Sequence, residues 1–226
     1  MEINQASAET AAVLMPFVRR LQVNLGRTNE LLKISKEFSS AGSKEKSVVA
    51  DDLLRAAIVF LHATLEDALR TLSMLYLPQS SESQLNNIPL VGTGVGTRPE
   101  KFLLGKLVAH RGKTVDALLE ASVAAYLARS NYNDTKEIAS LLSGLGMSLK
   151  KINKQFPALD ELMKRRHQIV HRADMFFEKS ETPEKLDEIS LSEIEGWIAA
   201  VRELTTQMLA HIIGKEMKAR LPHLPV

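Results

Sequence analysis

The sequence predicts an all-α protein, an up-and-down helical bundle with long N-terminal, central and C-terminal helices. Three observations predict it. Apolar residues recur at three- and four-residue spacings along most of the chain. No run shows the apolar–polar alternation of a half-buried strand. Pro, Gly and Ser gather where the periodic segments break.

Leu14, Phe17, Leu21, Leu25, Leu32 and Phe38 lie at helical spacing and predict an amphipathic helix over Ala8 to Ser39, with Pro16 in its first turns or at a kink. A Ser/Gly/Lys break follows at Ser39 to Lys46. Val49 to Leu77 is the most apolar segment, a helix apolar around most of its circumference and therefore central. Pro78 ends it, and Gln79 to Pro99 reads as a loop. Shorter helices are expected at Phe102 to Ala109, at Thr114 to Arg129 with Thr114 as N-cap, and at Thr135 to Leu142. Gly144-Leu-Gly146 is a break. Pro157 opens a helix running to about Ala173. A charged linker, Glu178 to Asp187, precedes a last helix to about Arg220, with Ser192 and Glu195 in capping-box spacing. Residues 1–45 are expected as a helical extension packed on a bundle formed by 46–226.

Composition narrows the function classes. The 226 residues include 29 Lys and Arg against 27 Asp and Glu, six His and no Cys. A net charge of +2 marks neither a polybasic coat nor an acidic tail. With 45% hydrophobic and 25% charged residues, the chain is globular rather than disordered. Zero Cys excludes disulfides, thiol nucleophiles, zinc–thiolate sites and iron–sulfur clusters, and fits a cytoplasmic home. Ala11 to Val18 is too short and wrongly flanked for a signal peptide, and no stretch has the ~18 apolar residues of a membrane span. No membrane partner is expected.

Two groups of polar residues stand out. On the central helix, Arg55, His62, Glu66 and Arg70 form one narrow stripe. It reads either as that helix's solvated edge or as a polar strip facing a functional groove. The second group is Lys164-Arg165-Arg166-His167-Gln168-Ile169-Val170-His171-Arg172-Ala173-Asp174. On an ideal helix Leu159, Leu162, Met163, Ile169 and Val170 all fall within roughly 60° of Arg166. A guanidinium in the middle of an apolar face needs a pairing partner, a polar groove or a subunit interface. Glu66 or Asp67, with Arg70 beside them, is expected to pair with Arg166 and orient it.

His167 and His171 stand four apart, a spacing that invites a zinc reading. The zincin pattern needs Glu after the first His, and Gln168 holds that place; no Cys offers a third ligand. No metal and no cofactor are expected. Gly92, Gly94 and Gly96 lack the preceding strand and following Lys of a phosphate loop and read as a plain loop. Trp197, Ile198 and Val201 read as core, or as a closing face for a dimer. Between Met147 and Arg172, Lys150, Lys151, Lys154, Lys164, Arg165, Arg166 and Arg172 face only Asp160 and Glu161, a local charge of +5. Such a cluster suits a phosphate backbone or is a solvated face. Met175 to Glu195 carries −5 and cancels it, which is how the whole chain comes out near neutral. Phe156, Phe176 and Phe177 flank the motif and read as packing residues, so sequence-specific reading of single-stranded RNA is not indicated.

Arg166-His-Gln-Ile-Val-His171 fits the R-x-x-x-x-H signature of HEPN domains, with a polar residue directly after the Arg. The string RRHQIVHRAD resembles the HEPN branch associated with RiboL-PSP, and DDLLRAAIVFLHATLEDALR resembles the long second helix of that branch. The resemblance covers roughly Val49 to the C-terminus. It implies a metal-independent endoribonuclease working as a homodimer with its site at the interface, a toxin or antiviral effector that an antitoxin could neutralise. Arg166 and His171 would be the catalytic pair and His167 would fill the family's polar slot. Lys150, Lys151, Lys154, Lys164, Arg165 and Arg172 would bind RNA phosphates; no DNA is expected. The alternative is a catalytically silent HEPN-like module that dimerises or binds a partner or nucleotide.

The chemistry needs no metal. RNA carries its own nucleophile in the 2′-hydroxyl. A histidine moves protons near neutrality, and an arginine fork stabilises charge on the non-bridging phosphate oxygens. One His cannot be base and acid in the same step, and a twofold dimer supplies a second. On a straight helix Arg166 and His171 diverge by about 140°. Either the helix distorts near His171 or a partner chain completes the site.

Overall fold

Two long helices, α1 (Glu2–Ser39) and α2 (Lys44–Tyr76), form an antiparallel pair in the computed structural model, which describes residues 2–40, 44–92, 104–176, 185–186 and 188–220. The hydrogen bonds between them run in opposite order along the two chains. Ser35 Oγ donates to the Ala50 carbonyl at 2.9 Å, while Arg20 Nε donates to Asp67 Oδ2 at 2.8 Å and Arg20 Nη2 to Thr71 Oγ1 at 2.6 Å. Leu14, Phe17, Leu21, Leu25 and Leu32 are buried as their spacing predicts. Phe38, six rather than seven residues beyond Leu32, falls off the stripe and is exposed. Because α1 begins at Glu2, Pro16 lies well inside the helix rather than in its first turns.

A 3₁₀ turn (Leu77–Gln79) ends α2 at Pro78. The segment expected as pure loop holds a one-turn helix, α3 (Glu82–Leu85), closed by a Ser81/Gln84 capping box. The helix expected at Phe102 to Ala109 is a 3₁₀ segment, Leu104–His110. α4 (Val115–Arg129) starts where Thr114 Oγ1 accepts the Ala117 N–H at 3.1 Å. α5 (Thr135–Gly144) starts where Asp134 accepts the Glu137 N–H at 2.8 Å. It stops before Gly146, whose φ of +73° is open to glycine and strained for other residues. α6 (Leu149–Ile152), a single turn with no periodicity to reveal it, leads into α7 (Phe156–Arg172). A two-residue antiparallel ladder, β1 (Met175–Phe176) with β2 (Lys185–Leu186), is the extended pairing among the described residues. α8 (Leu191–Arg220) begins one residue before Ser192, which therefore lies in the first turn, 2.7 Å Oγ to Oγ from Ser190, and is not the cap.

The fold is all-α, and α2 is its centre: Ala57, Ile58, Leu61, Leu65, Ala68, Leu69 and Leu72 have no exposed surface. Cross-helix contacts give the up-and-down order. Arg55 of α2 meets Asp174 just beyond α7, so α7 runs against α2. Lys36 of α1 meets Glu195 of α8, and Tyr76 of α2 packs edge-on to His211 of α8, so α8 runs with α2. Trp197, Ile198 and Val201 are buried in the same core as the α1 stripe. Among the described residues, no helix is long and apolar enough to cross a membrane. Gly94, Gly96, Phe177 and the acidic stretch 178–184 lie outside the described residues, as do the side chains of Lys151 and Phe176.

Candidate functional site

α7 carries the R-x-x-x-x-H string. Pro157 sits in its first turn, where a missing N–H costs nothing, and Leu159, Leu162 and Met163 anchor it to the core. The helix is unbroken from Phe156 through Arg172, so distortion near His171 is excluded and Arg166 and His171 point about 140° apart. It ends at two consecutive left-handed residues, Ala173 (φ 50°) and Asp174 (φ 59°), with the Asp174 N–H donating back to the Gln168 carbonyl at 3.3 Å. Left-handed backbone is unfavourable for Ala, so something must hold this turn.

The holder is the Asp174 side chain. It is completely buried, and its Oδ2 accepts Arg55 Nε at 2.7 Å and Arg165 Nη2 at 2.8 Å. Arg55 also reaches Asp52 at 3.3 Å, and Arg165 Nη2 reaches the Glu188 carbonyl at 3.4 Å. One carboxylate thus ties the end of α7 to α2 and to the approach of α8. Arg165, expected as a phosphate ligand, is a member of this clamp, with its side chain 14% exposed.

The stripe on α2 is not a solvated edge. Arg55 is buried in the clamp and His62 is only 1% exposed. Burial, reinforced by the Arg166 guanidinium, lowers the His62 pKa to about 4. The imidazole is therefore neutral at pH 7. The expected pairing of Arg166 with this stripe does not form. Glu66 meets Arg70 at 3.5 Å and His62 Nδ1 at 3.9 Å, and Asp67 meets Arg20. Those carboxylates already face cations on α1 and α2, one helical turn or one neighbour away. Arg70 itself donates to the Ser130 carbonyl at 2.7 Å and the Leu127 carbonyl at 3.4 Å, capping the C-terminus of α4, and lies 5.6 Å from the Tyr132 ring centroid.

The other flank of α7 is open. His167 and His171 are exposed, their rings 4.5 Å apart and tilted by 46°. Beside His167, and without His171 in its lining, lies a groove of about 280 Å³ lined by Asn133, Met163, Lys164, His167, Gln168 and Arg172. Of the cations expected around RNA, Lys164 and Arg172 line it, Lys164 with Asp160 at 2.6 Å. Lys150 and Lys154 are exposed near α6 but not part of the lining. Among the described residues no three His, Asp or Glu side chains converge as a metal-ligand set. Sequence reasoning missed Asp174 and misplaced Arg55 and His62. The signal was present: an Arg and a His in the most apolar helix, and an Asp closing the basic string.

The model of the RiboL-PSP-HEPN family matches residues 24–213, from the second half of α1 to near the end of α8. No curated protein and no solved structure matches the chain.

Proposed function

The chain belongs to the RiboL-PSP-HEPN family, and from that premise we propose that it is a metal-independent endoribonuclease acting in the cytoplasm as a toxin or antiviral effector. The observation that carries this reading is the open flank of α7, where His167 lines a groove with two cations and the exposed His171 ring packs against that of His167. His171 takes the proton from the 2′-hydroxyl as that oxygen attacks phosphorus. Arg166 stabilises the negative charge gathering on the non-bridging oxygens. A second histidine protonates the departing 5′-oxygen, leaving a 2′,3′-cyclic phosphate. Because α7 is straight, Arg166 of one copy and His171 of another meet at one phosphate in a twofold dimer. Val170, 48% exposed one turn beyond Arg166, gives such an interface apolar surface to bury. An antitoxin that covered this flank would silence it.

The test is RNA cleavage in EDTA by the wild type and by Arg166→Ala and His171→Ala. Cleavage survives chelation and falls at least about a hundredfold in each variant, the scale of general acid–base catalysis. One observation favours a second reading, a silent dimerisation or partner-binding module: within one chain Arg166 and His171 face apart. Inactivity of all three proteins on every RNA tested would select it.

A further inference from the structure

The turn between α4 and α5 separates two cavities. Asn133 lines the groove beside His167, while its neighbour Tyr132 lines a second cavity of about 420 Å³ between α4, α5 and residues of the stretch Asn87 to Gly92. Consecutive Cα atoms are 3.8 Å apart, so the two cavities lie on either side of one residue step. Tyr132 sits at φ 46°, strained for an aromatic residue, and is 1% exposed. Its buried hydroxyl, beside Ser130, has no well-formed hydrogen bond.

The rest of the lining has the chemistry of a nucleobase site. Tyr126, Pro89 and Leu90 contribute an aromatic ring and apolar side chains to the lining, material against which a base can stack. Arg129, exposed at the rim, offers charge to a phosphate. Glu137, whose carboxylate accepts the Asn133 N–H at 3.2 Å, is also part of the lining. A carboxylate accepts and never donates. It favours a base edge carrying N–H donors and disfavours uracil, whose carbonyls flank its single N–H. Guanine, with two donors side by side, fits best.

We propose that this cavity holds an unpaired, amino-bearing base of the RNA, guanine foremost, next to the nucleotide whose phosphate lies against His167. The inference rests on the RNA-cleaving reading of α7 and gives that site a sequence preference that the aromatic residues flanking the motif did not indicate. Tyr126 and Tyr132 lie far from the motif in the chain and arrive beside it only through the fold.

The test separates binding from cleavage by using full-length His171→Ala. Fluorescein-labelled U10 and the same decamer with one central G are titrated in EDTA and followed by anisotropy. The G-containing strand should bind about tenfold tighter, the scale of one stacked base. Tyr126→Ala and Glu137→Gln, each on that background, should bring the two strands within twofold, with circular dichroism unchanged. Equal binding of both strands by the parent, or a preference untouched by both variants, overturns the proposal. So does GMP binding without any strand preference, which would mark a free-nucleotide site. If the wild type cleaves no RNA and the G preference still holds, the cleavage reading fails and the base pocket stands.

Discussion

The two sides of α7 carry the same residue types and put them to opposite uses. On the inner side Arg165, joined by Arg55, is locked onto the buried carboxylate of Asp174. On the outer side His167 and Arg172 line a groove, and His171 is exposed next to His167. Three consecutive cations, Lys164, Arg165 and Arg166, therefore have three environments: a solvent ion pair with Asp160, a buried clamp, and a half-buried position whose charge helps to keep His62 neutral. Charge counting along a helix cannot separate these. A single carboxylate at the helix end does, because it decides which guanidinium turns inward.

Breaking the clamp should cost most. Asp174→Ala takes away the buried carboxylate shared by Arg55 and Arg165, leaves the more exposed Asp52 beside Arg55, and removes the anchor of the left-handed turn. Loss of about 3–5 kcal/mol is expected in urea denaturation, the usual result of removing one partner of a buried ion pair. A loss below about 1 kcal/mol would mean that the clamp holds nothing.

Next comes the inner neighbour of Arg166. Folding lowers the His62 pKa from 6.5 to about 4, so the unfolded chain binds the extra proton first as pH falls. The stability tied to neutral His62 is fully present above pH 6.5 and is lost between there and about pH 4. It amounts to roughly 3 kcal/mol at the acid end. His62→Gln, which cannot titrate, should flatten that part of the stability–pH curve. An unchanged slope would show that His62 is not held neutral.

The smallest effects should lie on the outer side. Lys164→Ala or Arg172→Ala should leave the urea midpoint within experimental scatter and reduce the salt dependence of RNA binding by nearly one unit of log–log slope. Arg165→Ala should do the reverse, costing stability and leaving the slope alone. If Arg165→Ala lowers the slope as Lys164→Ala does, the division between the two sides is wrong.

Much of the fold was legible in the sequence because its helices are long and amphipathic: the stripe from Leu14 to Leu32, the apolar run of α2, and Pro157 and Thr114 at helix starts. Single-turn elements such as α3 and α6 were not, since one turn has no period to detect. The R-x-x-x-x-H string was legible as a motif, and so was its helix. The roles of Arg55, His62 and Asp174 were not, because an ion pair 119 residues apart in sequence leaves no local pattern. The apolar surroundings of Arg55 and His62 pointed the right way: polar groups in a helix buried on nearly every side are buried themselves.

The central claim is that the outer side of α7 cleaves RNA by 2′-hydroxyl attack. Mass spectrometry of the 3′ ends, after a short RNA is cut by the wild-type protein in EDTA, tests it most directly. Products ending in 2′,3′-cyclic phosphate, and no cut where the attacking nucleotide is 2′-deoxy, are the predicted result. Products ending in 3′-hydroxyl, or cleavage that tolerates the 2′-deoxy substitution, would contradict it.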